Sequence, residues 1–266
     1  MRFALVTDVH FGPAARYAGK LRKLSHLAGE LTRTAARELA EVHRPELLVN
    51  LGDGIEDASR ADDLAHYEEL LAALRGAGAP LLHVAGNHDQ VHLGDDDLAR
   101  LWGRPGPLNE ARDVGGVHLV TLCTRFRADV EITVPEEQIG WLAADLARTT
   151  LPTVVLLHHP LGEMDLVGSR WFEHEPHLCR VANRAAVREV IARSGVVVAV
   201  INGHVHWSHV AVHDGIPYVT LQSLTENLDE DAPGRPARTY AVAEVDARGL
   251  RLRAFGDEPL RIDTGR

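Results

Sequence analysis

Five short polar clusters stand out in this chain: Asp8-Val9-His10, Gly52-Asp53, Gly86-Asn87-His88-Asp89, His158-His159-Pro160 and Gly203-His204-Val205-His206. Carboxylate, amide oxygen and neutral imidazole are ligands for borderline divalent ions such as Mn, Fe, Co or Zn. No serine or cysteine lies inside the clusters, so they do not supply a side-chain nucleophile. The one-residue spacing of Asp8-x-His10 and His204-x-His206 lets two side chains of one irregular turn reach a common point. Glycine before Asp53, Asn87 and His204 permits sharp turns and close backbone approach.

Each cluster follows an apolar, β-prone run. The runs are 2–7, 46–51, 80–85, 153–157 and 196–201, bounded by turn residues. Between them lie helical patterns at 20–43, 61–74, 135–148 and 183–193, the third opened by Pro135 at a favoured first position. Residues 115–124 read as a further strand joined through Gly115-Gly116 to 111–114. Hairpin patterns follow, with 209–213 turning at Asp214-Gly215 into 216–221, and 240–245 turning at 247–249 into 250–255. In open α/β sheets ligands bind at the carboxyl ends of strands, so the five clusters are expected to converge on one edge. Alternating β and α elements followed by hairpins predict two packed sheets flanked by helices, in a single domain over 1–266.

Taken singly, Asp-x-His is a weak signal and Gly-Asp weaker still, Gly-Asn-His-Asp is much more specific and Gly-His-x-His moderately so, and a lone His158 is more often a core histidine. Together and in this order they resemble the calcineurin-like metallophosphoesterase superfamily, with motifs Asp-x-His, Gly-Asp, Gly-Asn-His-Asp/Glu, His and Gly-His-x-His. The resemblance covers residues 3 to about 222. It implies a four-layer α/β/β/α sandwich of the α/β class. It also implies two metal ions (Mn, Fe or Zn, with Co as a further candidate), one on Asp8, His10, Asp53 and His206 and one on Asp53, Asn87, His158 and His204. By the same resemblance His88 is the catalytic histidine that does not bind metal, and Asp89 is the carboxylate that orients it. The His-x-Pro pattern selects His158 as ligand, leaving His159 behind it or at the mouth. A hydroxide bridging two ions about 3.5–4 Å apart would then attack phosphorus in line.

Composition narrows the substrate. There are 28 basic and 38 acidic residues, a formal charge of −10, which argues against general nucleic-acid binding. A small phosphorylated molecule remains compatible, because bound cations reverse the local sign. Nearly all the basic residues are arginine; Lys20 and Lys23 are the only lysines. Two distant cysteines, Cys123 and Cys179, argue against a disulfide scaffold. No run approaches the roughly 18 apolar residues of a membrane span, so a soluble, cytoplasmic protein is expected, with a homo-oligomer left open.

Two long loops, 161–182 and 223–239, are the candidate lids. The first leaves directly from His158-His159-Pro160 and carries Arg170, Trp171 and Phe172. With Asn87, His88 and His159, Arg170 is the expected substrate contact, and the rings can stack on a base or sugar. The small, undecorated chain resembles bacterial cyclic-nucleotide and glycerophosphodiester hydrolases. The Arg16-to-Lys23 segment resembles instead the ADP-ribose/CDP-alcohol diphosphatases, a phosphomonoesterase being a third option and a non-catalytic metal-binding scaffold a fourth. Glu173 to Cys179 fits no zinc pattern and is expected to edge a lid. Asp95-Asp96-Asp97 is expected to start a helix, Asp229-Glu230-Asp231 to be a solvated loop, and His83 and Cys123 to serve the core.

Overall fold

The computed structural model describes residues 1–127 and 131–265. Arg2–Val6 (β1) is buried from its second residue onward and seeds the first sheet. Leu47–Asn50 (β2) and Leu81–His83 (β3) add to it in parallel, each returning through a helix on the same face, Ala28–Glu38 (α1) and Arg60–Arg75 (α2). Asp95–Leu101 (α3) completes that layer, opening on the three aspartates. Negative side chains in a helix's first turn complement its positive end.

The second sheet begins with the hairpin Glu110–Val114 (β4) and Val117–Thr121 (β5), whose Gly115 and Gly116 both take positive φ. A two-stranded ribbon, Arg125–Arg127 (β6) with Glu131–Thr133 (β7), follows. Thr153–Leu156 (β8) and Val197–Asn202 (β9) pair in parallel with this sheet, connected through Glu136–Leu146 (α4) and Arg184–Ser194 (α5). His209–His213 (β10) and Ile216–Thr220 (β11) extend it. The chain then returns to the first sheet as Tyr240–Asp246 (β12), Gly249–Phe255 (β13) and Leu260–Asp263 (β14).

Strand orders are β14-β13-β12-β1-β2-β3 and β10-β11-β9-β8-β5-β4. The inner faces meet through Phe3, Leu5, Val49, Leu119, Leu156, Ile201 and Ala243. Helices α1 to α3 cover the first sheet through Tyr67, Leu70 and Leu74; α4 and α5 cover the second through Leu142, Val187 and Ile191. The layers are therefore α/β/β/α, as expected.

Two expectations need correction. The helical pattern 20–43 is helical only from Ser25, as a 3-10 turn leading into α1. Residues 20–24 instead run against the 223–239 loop, with Leu24 N–H donating to the Thr225 carbonyl at 2.8 Å and Leu21 N–H to Asp231 at 2.9 Å. The Asp229-Glu230-Asp231 run is not merely solvated. Glu230 pairs with Lys20 and Arg170, and Asp231 with Arg16, so the run latches three segments together.

Candidate metal centre

The carboxyl ends of β1, β2, β3, β8 and β9 do bring the five clusters together. Strands β1 and β2 continue their pairing beyond their ends: Asp8 N–H donates to the Gly52 carbonyl and His10 N–H to the Asp53 carbonyl, both at 3.0 Å. In the second sheet, β8 and β9 do the same: Gly203 N–H donates to the His158 carbonyl at 3.1 Å. Asp8, His10, Asp53, His204 and His206 all have positive φ, between 48° and 74°. That left-handed region is unfavourable for side-chain-bearing residues and concentrates at functional sites. A Cβ on Gly86 would stand 2.2 Å from Asp53 Oδ1, and one on Gly203 1.9 Å from Thr7 Oγ1. Only glycine allows these turns to approach so closely.

The side chains converge in two overlapping groups, each with its polar atoms within 4.8 Å of one another: Asp8, His10 and His206, then Asp8, Asp53 and His158. His204 joins through Nδ1, 3.2 Å from His158 Nε2. His10 Nε2 and His206 Nε2 are 3.0 Å apart, and His158 Nε2 is 3.2 Å from Asp53 Oδ2. The Asn87 amide oxygen is buried without a hydrogen-bond partner. Acceptors turned toward acceptors in a buried space fit a shared cation, and this donor set suits borderline divalent ions.

The charge balance fits too. Burial alone would raise Asp8 and Asp53, yet neighbouring imidazoles hold both carboxyls below the ordinary range. Burial would lower His158 and His206, but Asp53 and Asp8 on the one, and Asp8 and Glu226 on the other, push each up to about 9. Burial, with Lys23 beside His10 and His158 beside His204, pushes those two down to about 3. The buried carboxylates Asp8 and Asp53 thus call for positive charge beside them, as a bound cation would supply.

Each imidazole is held from behind. His158 Nδ1 donates to the Leu51 carbonyl at 2.9 Å and His204 Nε2 to the Leu178 carbonyl at 2.9 Å. His206 Nδ1 meets Glu226 Oε2 at 2.8 Å, and His10 Nδ1 meets Glu56 Oε2 at 3.1 Å. Such partners fix the tautomer and leave the other nitrogen free to ligate. Glu56 and Glu226 were not among the sequence candidates. Neither lies within a metal-type motif, and only the spatial pairing reveals them.

Lys23 was missed for the same reason. It is 1% exposed, 2.7 Å from Glu56 Oε2 and 3.3 Å from His10 Nδ1. Its ammonium lies over the Tyr17 ring at 4.6 Å and near that of Trp171 at 5.5 Å. Tyr17 Oη bonds to Glu56, and Trp171 Nε1 donates to Glu226 at 3.2 Å. Each ring is therefore tied to the carboxylate behind one histidine.

Three expected roles change. His88 does not pair with Asp89: its Nδ1 meets Asp57. Asp89 is fully buried, and its two oxygens accept from Gly54 N–H at 2.9 Å and Gly86 N–H at 2.8 Å. It braces two turns, and burial with the Asp53 charge pushes it up to about 6. Of the two places expected for His159 the structure takes the one behind the ligands, so its substrate contact falls away: it is 1% exposed, bonded to Thr124 Oγ1 at 2.6 Å, with its ring 4.1 Å from that of His204. Arg170 spends its guanidinium on the Asn227 and Asp229 carbonyls and on Glu230, clamping loop 161–182 to loop 223–239. Of the residues set aside, His83 is buried and stacked on Trp102, and Cys123 is buried in the core.

Residues 1–208 match the family model for calcineurin-like phosphoesterases. The chain belongs to that family. A cAMP/cGMP dual specificity phosphodiesterase of Mycobacterium tuberculosis is 30% identical over 207 residues, 74% of this chain and 61% of that protein. A probable cyclic nucleotide phosphodiesterase of Synechococcus is 29% identical over 61% of this chain and 58% of its own. The matched region thus spans about three fifths of these relatives. Among solved structures, a dimetal phosphatase from Danio rerio overlays 99% of both chains with a TM-score of 0.76 at 18% identity. A purple acid phosphatase from yellow lupin covers 96% of this chain and 51% of its own, with a TM-score of 0.63 at 14% identity. At those identities the overlays establish the shared calcineurin-like fold. No described helix is long and apolar enough to cross a membrane.

Proposed function

We propose that this calcineurin-like phosphoesterase hydrolyses a phosphodiester of a small, nucleotide-type molecule at a two-metal centre. The observation that carries the reading is the buried convergence of Asp8, His10, Asp53, His158, His204 and His206, with the unpartnered Asn87 oxygen beside it. Asp8, His10, Asp53 and His206 would hold one ion, and Asp53, Asn87, His158 and His204 the other. The donor set favours Mn, Fe, Zn or Co over Mg. When bound, such a pair supplies Lewis acidity toward phosphoryl oxygens and acidifies water toward a pKa of about 7.

The chain's own residues supply the rest. Burial would lower the pKa of His88, but the charges of Asp53 and Asp57 outweigh it and raise it. Its Nδ1 is held by Asp57, which leaves Nε2 to carry a proton toward the leaving oxygen. Positioned proton transfer of this kind contributes about 10²–10⁴-fold. Tyr17 and Trp171, with ring centroids 5.0 Å apart, and Phe172, 4.7 Å from His204, give the centre an aromatic rim suited to a base or sugar face.

The names of the curated relatives support cyclic nucleotides as the first substrates to try. The diphosphatase reading keeps one specific support: the segment 16–23, whose resemblance suggested it, sets Lys23 against His10 with the Tyr17 ring over its ammonium. The deciding experiment is a panel with added Mn: cyclic nucleotides, glycerophosphodiesters, ADP-ribose, CDP-alcohols and phosphomonoesters. Preferred turnover of a diester is expected. Turnover confined to monoesters, or none with both ions bound, would overturn the proposal.

A further inference from the structure

The outer face of strands β12 to β14 lies at the other end of the first sheet, where charge is left unbalanced. One row across the strands is neutral: Arg2 faces Glu244, Glu244 faces Arg251, and Arg251 faces Asp263. Arg2 and Arg251 are both ion-paired to Glu244, at 2.7 and 3.3 Å. The next row reads Ala4, Val242, Arg253 and Arg261, with the two exposed arginines directly opposite each other. Like charges in that register are destabilising. Among the described residues neither Arg253 nor Arg261 has a carboxylate within ion-pair distance.

These arginines border a groove of about 470 Å³ between the strands and the end of the α1 segment. Its wall is apolar and aromatic: Val42 is 66% exposed, Arg253 lies 4.7 Å over the Phe255 ring, and Phe255 stacks on Tyr240. Four guanidinium groups line it against two carboxylates, in a chain whose net charge is −10. His43, also in the groove, is lowered by burial and then by Arg2 and Arg253, its neighbour Glu38 opposing. Arg2 and Arg253 thus both lie close enough to His43 to act on it.

We propose that this groove is a second ligand site, for a phosphate monoester dianion held between Arg253 and Arg261. Guanidinium forks match phosphate oxygens in bidentate geometry, and two unmatched forks suit a doubly charged group. The second ionisation of a phosphate monoester lies near pKa 6, so it carries two charges at neutral pH, whereas a diester carries one. The apolar wall accommodates an organic substituent. Arg253 and Arg261 lie in the Ala4 row, about 13 Å of extended chain from Asp8 and two to three strand spacings of about 4.8 Å to its side, so the site is separate from the metal centre and stands whether or not the reading of that centre holds.

Calorimetric titration of the full, metal-free chain with phenyl phosphate, inorganic phosphate and dimethyl phosphate tests this. One phenyl phosphate per chain is expected at pH 7.5, bound at least about tenfold tighter than dimethyl phosphate and more weakly as salt rises. Arg253→Ser/Arg261→Ser should weaken it about tenfold or more. Arg261→Glu, which gives Arg253 an intramolecular partner and keeps the corner folded, should abolish it. Inorganic phosphate binding as tightly as phenyl phosphate would identify the free ion as the ligand of the same site. Equal affinity in wild type and both variants, or no preference for the dianion, would overturn the proposal.

Discussion

Asp57→Asn and Asp89→Asn should separate the carboxylate that touches His88 from the one the sequence motif assigns to it. Asp57 touches His88 at a partly open position, its side chain 28% exposed, so its loss should barely change stability. A solvent-accessible pair of this kind contributes about 0–1 kcal/mol. Its loss should nevertheless cost turnover, because the amide oxygen can still accept from His88 Nδ1–H but no longer carries the charge that favours the protonated ring. Outer partners of this type are worth about 10–100-fold. Asp89→Asn should show the opposite pattern. It turns one of two acceptors facing the Gly54 and Gly86 amides into a donor, in a fully buried position. One buried N–H left unpaired costs about 1–3 kcal/mol. For a chain of this size that is a fall in Tm of roughly 2–12 °C. The assay is kcat for bis(p-nitrophenyl) phosphate with saturating Mn, alongside a thermal melt of each variant. The pH profile adds a sign: Asp57 raises His88, so without it the alkaline loss of activity should move to lower pH. Full turnover in Asp57→Asn, or a folded Asp89→Asn that has lost turnover with both ions bound, would return the orienting role to Asp89.

Three shorter expectations follow. Gly203→Ala should lose metal stoichiometry by elemental analysis, since its Cβ would stand 1.9 Å from Thr7 Oγ1 and 2.5 Å from Asp8 Oδ2. Lys23→Met should destabilise the protein by about 3 kcal/mol in chemical denaturation, because it strands the buried Glu56 charge, and should weaken metal binding in a competition titration; wild-type values in both would refute the role of Lys23. His118 lies between Asp113 at 2.6 Å and Asp145 at 2.7 Å, which outweigh its burial and raise its pKa. Its contribution is therefore complete below the usual value near 6.5 and lost as pH rises through the raised one, a slope that His118→Gln should flatten in melts between pH 6 and 9.

The layers of the fold were legible because each buried strand reads as an unbroken apolar run and each covering helix as a periodic one. Leu47–Asn50 and Thr153–Leu156 are buried at every position, which leaves little room for another assignment. What escaped was structure fixed by partners distant in sequence. Residues 20–24 have a helical pattern, but Lys23 is committed to Glu56 and Leu24 to the Thr225 carbonyl, and those contacts override propensity. Leu260–Asp263 alternates too briefly to read as a strand until β13 is beside it.

The metal-type residues were legible for a different reason. A ligand at the end of a strand must turn sharply, and the turn leaves its own mark: glycine beside Asp53, Asn87 and His204. The residues behind the ligands leave no such mark. Glu226 reaches His206 from loop 223–239, and Glu56 reaches His10 from beyond the β2 turn, so their spacing from the histidines carries no pattern. The composition held one usable hint. Arginine fills nearly every basic position in the chain, and both lysines fall between residues 20 and 23. A planar guanidinium does not substitute for a compact ammonium enclosed by Tyr17, Trp171, Glu56 and His10. Lys20, partly exposed and paired to Glu230, carries no such constraint; the enclosed position of Lys23 does. Lys23→Arg, which keeps the charge, should therefore weaken metal binding as Lys23→Met does, and retention of wild-type affinity would reduce the lysine to its charge alone.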